Sequence, residues 1–360
     1  MANMSFQFLD VGMGDSTLVI MGDEPEDQEL ALVDFGVQPF TKFKVGADDA
    51  MAYLINTIDE ISVAHGYQVP YIDHLFITHP DQDHYNRIIP LIESQYPSFG
   101  LEDLSIGRLT YGGASTRYKG NLINEIAHYV VDKNIFDLPN CAHSVVRANG
   151  TVAPSWTFVN NEIFVYLLNA NYPTTAGYLP NPRSLCLMFQ DIHDQKVILM
   201  GDAESDVEEQ IIENFEDAQQ GFLNAYALKL GHHGSLKGTS QEWLEAVQPD
   251  AVFASGDFVW AHPYCDTIQE AIDNGTLGNM DEHWYCCGVS GKEYFTHETQ
   301  LQICLNLWYV VKDEDGEEMQ DVDGDIEVAD EGTTYGVQWE LEFTGAGNVG
   351  FFHTDTSSPT

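Results

Sequence analysis

The stretch Leu75-Phe-Ile-Thr-His79-Pro-Asp81-Gln-Asp83-His84 constrains this chain more than any other. Its apolar first part suits a fully buried strand. Pro80 stops that strand one residue past His79, so two imidazoles and two carboxylates fall on the loop at its carboxyl end. Loops at that end are where α/β proteins place chemistry. Four such donors within six residues suit divalent ions of intermediate hardness such as zinc, manganese or iron(II). One ion does not use all four, so the cluster points to two adjacent ions with a bridging group and further ligands from elsewhere. The plainer alternative is a polar loop in which Asp81 or Asp83 caps a helix over 85–94.

The same design recurs along the chain. An opening hairpin is expected from Phe6 and Phe8 through a Gly-rich turn to a strand over Ser16 to Met21. Leu30 to Val33 is a buried strand ending at Asp34. Lys196 to Met200 ends in Gly201-Asp202, Ala225 to Leu230 ends in Gly231-His232-His233-Gly234-Ser235, and a strand over Ala251 to Ala254 precedes His262-Pro263. Further strands are expected over 156–159, 163–168 and 185–189. Helical spacing marks 49–65, 121–133 and 207–215, and Thr239 or Ser240 caps a helix over 243–247. Each Asp or His at a strand end is open to a bland reading as a cap, but five of them are improbable as unrelated caps. If all five ends share one edge of two packed sheets, then His79, Asp81, Asp83, His84, Asp202 and one of His232 and His233 surround two ions, with Asp202 between them. A water shared by such ions is acidified toward neutrality and becomes a hydroxide nucleophile.

Composition bounds the protein that can own such a site. At 360 residues and 44% hydrophobic, the chain can bury a sizeable core, as one large domain or a domain with an appendage. Its 14 Lys and Arg stand against 57 Asp and Glu, a formal charge of -43, which repels nucleic acid and anionic lipid over most of the surface. No basic segment followed by an apolar one opens the chain, and no run approaches the roughly 18 apolar residues of a membrane helix. The six cysteines show no repeated Cys-x-x-Cys spacing, which fits reduced thiols and a cytoplasmic location.

With these residues in view, the chain resembles the metallo-β-lactamase superfamily, in the branch that includes the soluble domain of DNA-uptake competence channel proteins. The motifs are Phe8-Leu-Asp-Val-Gly-Met-Gly-Asp15, Leu32-Val-Asp-Phe-Gly36, Thr78-His-Pro-Asp-Gln-Asp-His84, Leu199-Met-Gly-Asp202, Leu228-Lys-Leu-Gly-His-His-Gly-Ser235 and Ala261-His-Pro263. They follow the family's order over about residues 6 to 275. The resemblance implies an αββα four-layer sandwich with a two-metal hydrolytic site between the sheets. It places His79 and Asp81 on one ion, Asp83 and His84 on the other, Asp202 on both, and His232 on the second ion with His233 as its competitor. Asp81 stands where the family's second His is usual, which hardens that position and makes manganese or iron credible beside zinc. The family's third-motif His has no counterpart in context: His128, His143 and His193 lie in the interval.

Outside the ligand set, Asp34 is expected to brace the site through hydrogen bonds. His233 and His262 are the candidates for catalytic proton transfer or phosphate holding, with helix capping the alternative for His262. Ser235 and Lys237 are expected to face substrate. Arg117 and Lys119 sit on a loop able to reach the site mouth, or else pair with surface carboxylates. The expected organisation is a hydrolase domain over 1–280 and a β-rich appendage over 281–360. The appendage carries an acidic segment from Asp313 to Glu331 and offers a surface for a protein partner. Within it, Asp321-Val-Asp323-Gly-Asp325 fails the EF-hand pattern, because Ile326 stands where Gly is needed. The expected function is a metal-dependent hydrolase with two divalent ions, zinc or manganese foremost, acting on a phosphodiester in nucleic acid, a nucleotide or a small molecule. The alternatives are a noncatalytic binding or regulatory module stabilised by its metals, and a hydrolase of another small molecule, lactams included.

Overall fold

The computed structural model describes residues 2–9, 11, 14–38, 47–100, 102–173, 179–257, 262, 267, 304–306, 337–343 and 349–355. Alternation of side chains along the strands explains the layering. In β3 (Glu29–Phe35), Ala31 and Val33 face one core while Leu30 and Leu32 face another. In β10 (Lys196–Leu199), Val197 and Leu199 share the core of Ala31 and Val33, while Ile198 looks the other way. A strand with apolar residues on both faces needs cover on both sides, and two such sheets pressed together require helices outside each.

That is the arrangement found. Among the described residues the first sheet runs in the order β16 (Val349–Asp355), β15 (Val337–Phe343), β1 (Met4–Phe8), β2 (Ser16–Met21), β3, β4 (Tyr71–Ile77), β5 (Ser105–Tyr111), β6 (Ile135–Asp137). The second runs β12 (Ala251–Phe253), β11 (Ala227–Lys229), β10, β9 (Cys186–Asp191), β8 (Ile163–Asn169), β7 (Trp156–Phe158). The inner core between them contains Phe6, Phe8, Phe76, Phe189 and Phe253, with Phe8 stacked on Phe253 at 4.2 Å. Helices α1 (Ala47–Ala64), α2 (Ile88–Ile92) and α3 (Leu122–Ile126) cover the outside of the first sheet, and α4 (Ser205–Asn214) and α5 (Gln241–Val247) cover the outside of the second. The result is a four-layer αββα sandwich.

Several expected elements take a different form. The helix over 85–94 is reduced to a 3-10 turn at Gln82–His84 followed by the short α2, and Asp81 makes no side-chain capping bond. The segment 121–133 divides into α3 and a separate 3-10 turn at Val131–Lys133, where Asp132 and Lys133 take positive φ. β5 and β6 had no counterpart in the sequence reading. Ser240 caps α5 as expected, accepting from the Trp243 N–H.

The C-terminal strands do not lie apart from the sandwich. β15 pairs antiparallel with β1, Met4 opposite Phe343, and Leu341 and Phe343 are buried in the inner core. A short β14 (Cys304–Asn306) pairs with β13 (Ser255–Asp257), the strand that follows β12. The 280/281 boundary, the acidic segment 313–331 and the rejected calcium loop fall outside the described residues.

Candidate metal centre

The ligand-bearing loops meet at one edge because their strands run the same way. β4 is parallel to β3, and β10, β11 and β12 are mutually parallel, so the residues after their carboxyl ends face one another across the gap between sheets. One backbone contact ties the two sheets at this edge and two more tie the loops of the second sheet to one another. Leu185 N–H donates to Thr78 O at 3.0 Å, His232 N–H to Gly201 O at 3.0 Å, and Leu230 N–H to Phe253 O at 2.7 Å. Gly201, at φ 56°, allows the loop bearing Asp202 to press on Thr78, where a Cβ would meet the Thr78 Cβ at 2.9 Å. Asp202 N–H is then held by Ser184 Oγ at 3.0 Å.

At the centre is the Asp202 carboxylate, and its two oxygens face different groups. Oδ2 lies 3.5 Å from His79 Nε2, which is itself 3.7 Å from Asp81 Oδ2. Oδ1 lies 3.2 Å from His84 Nε2 and 3.6 Å from His233 Nε2, and His233 Nε2 is 3.7 Å from Asp83 Oδ2. The cluster therefore has two halves, His79 with Asp81 and Asp83 with His84 and His233, and Asp202 faces both.

Hydrogen bonds behind the ring set the tautomers. Thr78 N–H and Oγ–H donate to Asp34 at 2.7 and 2.6 Å. With its proton committed there, Thr78 Oγ accepts from His79 Nδ1–H at 3.0 Å, and Asp34 Oδ2 accepts from His84 Nδ1–H at 2.8 Å. Each ring then turns its Nε2 toward Asp202. Asp34 does this from left-handed backbone, φ 60°, a strained placement for any residue but glycine that persists where surroundings enforce it.

The donor set fits cations. His79 Nε2, His84 Nε2, His233 Nε2 and Asp202 Oδ1 are buried with no hydrogen-bond partner, and each such group costs about 1–3 kcal/mol. His79, His84 and Asp202 form one group with ligand atoms within 4.8 Å of one another, and Asp83, His84 and His233 form another. Imidazole and carboxylate atoms converging this way can hold divalent ions.

Electrostatics show how strongly the centre attracts positive charge. Burial, then His84, oppose a charged His79, yet the Asp202 and Asp81 carboxylates raise it to about 9. Burial likewise opposes a charged His84, but Asp202 and Asp34 hold it well above its ordinary value. Burial would raise Asp83, but His233 and His84 bring it down to about 2. Asp202 is held well below its ordinary value by His84, His233 and His79, against its burial. His262, 6.1 Å from the His233 ring and nearly parallel to it, is lowered to about 4 by burial and by His233 and His232.

One expectation is reversed in the geometry. His233, not His232, joins the cluster. The resemblance places His232 on the second ion, with His233 as its competitor. His232 and His233 both take left-handed φ, 48° and 56°, and Gly231 approaches Ala203, its Cβ position lying 2.2 Å from Ala203 O. The turn directs His233 inward and His232 to the rim, where Nδ1 is 3.1 Å from Glu204 Oε1 and 3.2 Å from Asn181 Nδ2. Glu204 and Asn181 had no signal in the sequence beyond nearness to Asp202 and Pro180.

The remaining expected residues are placed as follows. Ser235 is buried, its Oγ accepting from Lys237 N–H at 3.3 Å. Lys237 is 73% exposed with Nζ 3.9 Å from Glu204. Arg117 and Lys119 are exposed on the turns after β5, and Lys119 N–H donates to the hydroxyl of Tyr85, the residue after His84. His128, His143 and His193 are exposed and none joins the cluster among the described residues. The residues flanking His262 lie outside the described set.

Sandwich, strand-end ligands and their order together decide the fold. They agree with what the resemblance to the metallo-β-lactamase superfamily implies. The chain is similar to the solved structure of the short form of human tRNase Z, with 11% identity, a TM-score of 0.38, and 71% of this chain and 92% of that one covered. It is also similar to the metallo-β-lactamase fold protein YhfI from Bacillus subtilis, with 10% identity, a TM-score of 0.37, and 70% and 86% covered. A third is a possible metal-dependent hydrolase from Veillonella parvula, with 10% identity, a TM-score of 0.36, and 88% and 98% covered. None of these likenesses bears on what the chain acts on. No family model matches the sequence, and no curated protein matches it. No helix among the described residues is long and apolar enough to cross a membrane.

Proposed function

We propose that this chain is a metal-dependent hydrolase with a dinuclear centre, acting on a phosphodiester. The observation that carries the proposal is the Asp202 carboxylate, buried, with one oxygen toward His79 and the other toward His84 and His233. A carboxylate facing partnerless imidazole nitrogens on both sides suits a bridge between two ions. His79 and Asp81 would hold one, Asp83, His84 and His233 the other. Two divalent ions, when bound, supply Lewis acidity that brings a water toward ionisation at neutral pH and stabilises charge on a phosphoryl oxygen.

The protein's own groups do the rest. Asp34 and Thr78 fix the imidazole tautomers. His232, held through Nδ1 by Glu204, is the group on the rim able, once its ring is also protonated at Nε2, to pass that proton to a leaving oxygen, a role that passes to it from His233 with the exchange of positions. Asp81 makes its half of the centre harder than an imidazole would, which supports manganese or iron beside zinc. Lys237 offers an exposed cation at the same rim. The charge of -43 favours a small phosphodiester over a polynucleotide, whose binding relies on many phosphate contacts.

Metal analysis of the purified protein, followed by turnover of bis(p-nitrophenyl) phosphate, single-stranded DNA, RNA and a chromogenic lactam, tests the reading. The expected result is two ions per chain and hydrolysis of the aryl phosphodiester, well ahead of the polymers. A protein that holds both ions and turns over none of the four is a metal-stabilised binding module instead. Preferred hydrolysis of the lactam overturns the substrate class.

A further inference from the structure

Lys229 is a lysine in a buried strand. On β11 it shares the inward face with Ala227, and its ammonium pairs across the gap with the Asp15 carboxylate, the two side chains being 3% and 5% exposed. A buried ion pair is weak evidence of stability, since desolvation consumes most of the attraction. Its position is what distinguishes it. Lys229 belongs to the second sheet, four residues before His233. Asp15 belongs to the first, just before β2, and its N–H donates to Asp83 O at 3.0 Å while its carbonyl accepts from Gly36 N–H at 3.2 Å.

Gly36 in turn bears directly on the backbone of two candidate ligands. A Cβ there would lie 2.4 Å from Asp83 C and 2.6 Å from His84 N. The loop carrying Asp83 and His84 is thus seated on Asp15 and Gly36, and Asp15 is fastened to the strand that delivers His233. There is also a charge argument. Ligand atoms of Asp15, Asp34 and His84 lie within 4.8 Å of one another, so without the ammonium a second uncompensated carboxylate would crowd the one that orients His84.

We infer that Asp15 and Lys229 form a cross-sheet positioning pair for the Asp83, His84 and His233 half of the centre, holding ligands from opposite sheets at binding distance before any ion arrives. The inference rests on the proposed dinuclear centre but not on its substrate. The half made by His79 and Asp81 is outside the reach of the pair.

The test is a titration of metal-stripped protein with cobalt(II), followed by its visible absorption, in wild type and in the double variant Asp15→Asn with Lys229→Met. Removing both charges avoids the stranded buried charge that either single change leaves, so the double variant is the one expected to fold. Lys229→Arg, which keeps the charge, is the conservative control. Wild type should bind two cobalt ions. The double variant should bind one as wild type does and the other 10–100-fold more weakly, the usual loss when an outer partner of a ligand is removed, with Lys229→Arg in between. Equal affinity for both ions in wild type and double variant overturns the pair's role. So does an equal loss at both ions that merely tracks a lowered melting temperature. A wild type that binds no cobalt overturns the centre itself, a distinguishable failure.

Discussion

Asp34 Oδ2 stands 2.8 Å from His84 Nδ1, and Asp34 reaches it from backbone at φ 60°. The same carboxylate accepts both Thr78 donors, so one side chain sets the orientation of His84 directly and of His79 through Thr78. Asp34→Ala should lower metal affinity 10–100-fold while circular dichroism reports an intact fold. Competition titration against a chelating dye measures it, and an unchanged affinity would show that Asp34 is only a backbone brace.

Asp202→Ala should abolish hydrolysis and reduce bound metal below one ion per chain, because both halves of the cluster lose the same ligand. Asp206, the next aspartate, lies on α4 and offers no substitute. Elemental analysis beside the phosphodiester assay reads this, and full occupancy with wild-type turnover would remove Asp202 from the centre.

The two adjacent histidines should separate cleanly. His233→Ala should lose metal together with activity, having faced Asp83 and Asp202 at 3.7 and 3.6 Å. His232→Ala should keep its metal and lose mainly kcat, with Glu204→Gln following it more mildly. Metal loss in the His232 variant alone would restore the assignment expected from sequence.

Phe343→Ala tests whether the C-terminal strands belong to the sandwich. The Phe343 ring meets Phe6 and Tyr226 edge-on, at 6.4 and 5.6 Å, and is fully buried. Its truncation should cost about 3–5 kcal/mol, read by urea denaturation. A cost below about 1 kcal/mol would mean that the strand contributes little to the core.

Asp73 supplies a pH dependence away from the centre. Burial raises its carboxyl to about 6 from 3.8, with Glu29 adding to the shift and the Leu30 N–H opposing it. The folded state therefore holds the proton more tightly than the unfolded one. Its contribution to stability is complete below about pH 4 and is lost as pH rises through 6. Asp73→Asn, which keeps an acceptor for Leu30, should flatten that part of the melting-temperature profile and melt no lower than wild type at pH 7.5. An unaltered slope between pH 4 and 6 would show that Asp73 titrates normally.

Much of this was legible because strand ends announce themselves. Pro80 after His79, and Gly201 before Asp202, mark where an apolar run must stop, and alternation in β3 and β10 gives the layers. Helix α1 was expected over 49–65 and spans Ala47–Ala64, since its apolar spacing is regular. What stayed hidden depends on tertiary contact. No local pattern says that His232 and His233 leave the strand in left-handed conformation; the contacts made there, Gly231 against Ala203 and His232 N–H on Gly201 O, are with residues far off in sequence. β5 escaped notice because Gly107 and Arg108 interrupt its apolar run. The partners of β15 could not be read from its own residues, since a strand that pairs with β1 looks like any other amphipathic strand.

The pairing of β1 with β15, Met4 opposite Phe343, has a consequence for how the chain comes to be. At the usual ~5–20 residues per second of synthesis, β1 waits roughly 17–70 s for its second neighbour. During that wait β1 can pair with β2, but its other flank presents open backbone donors and acceptors beside Phe6 and Phe8, a template for pairing with another nascent chain. That flank of β1 is therefore open while the chain is still on the ribosome, and losses in heterologous expression should rise with anything that delays β15.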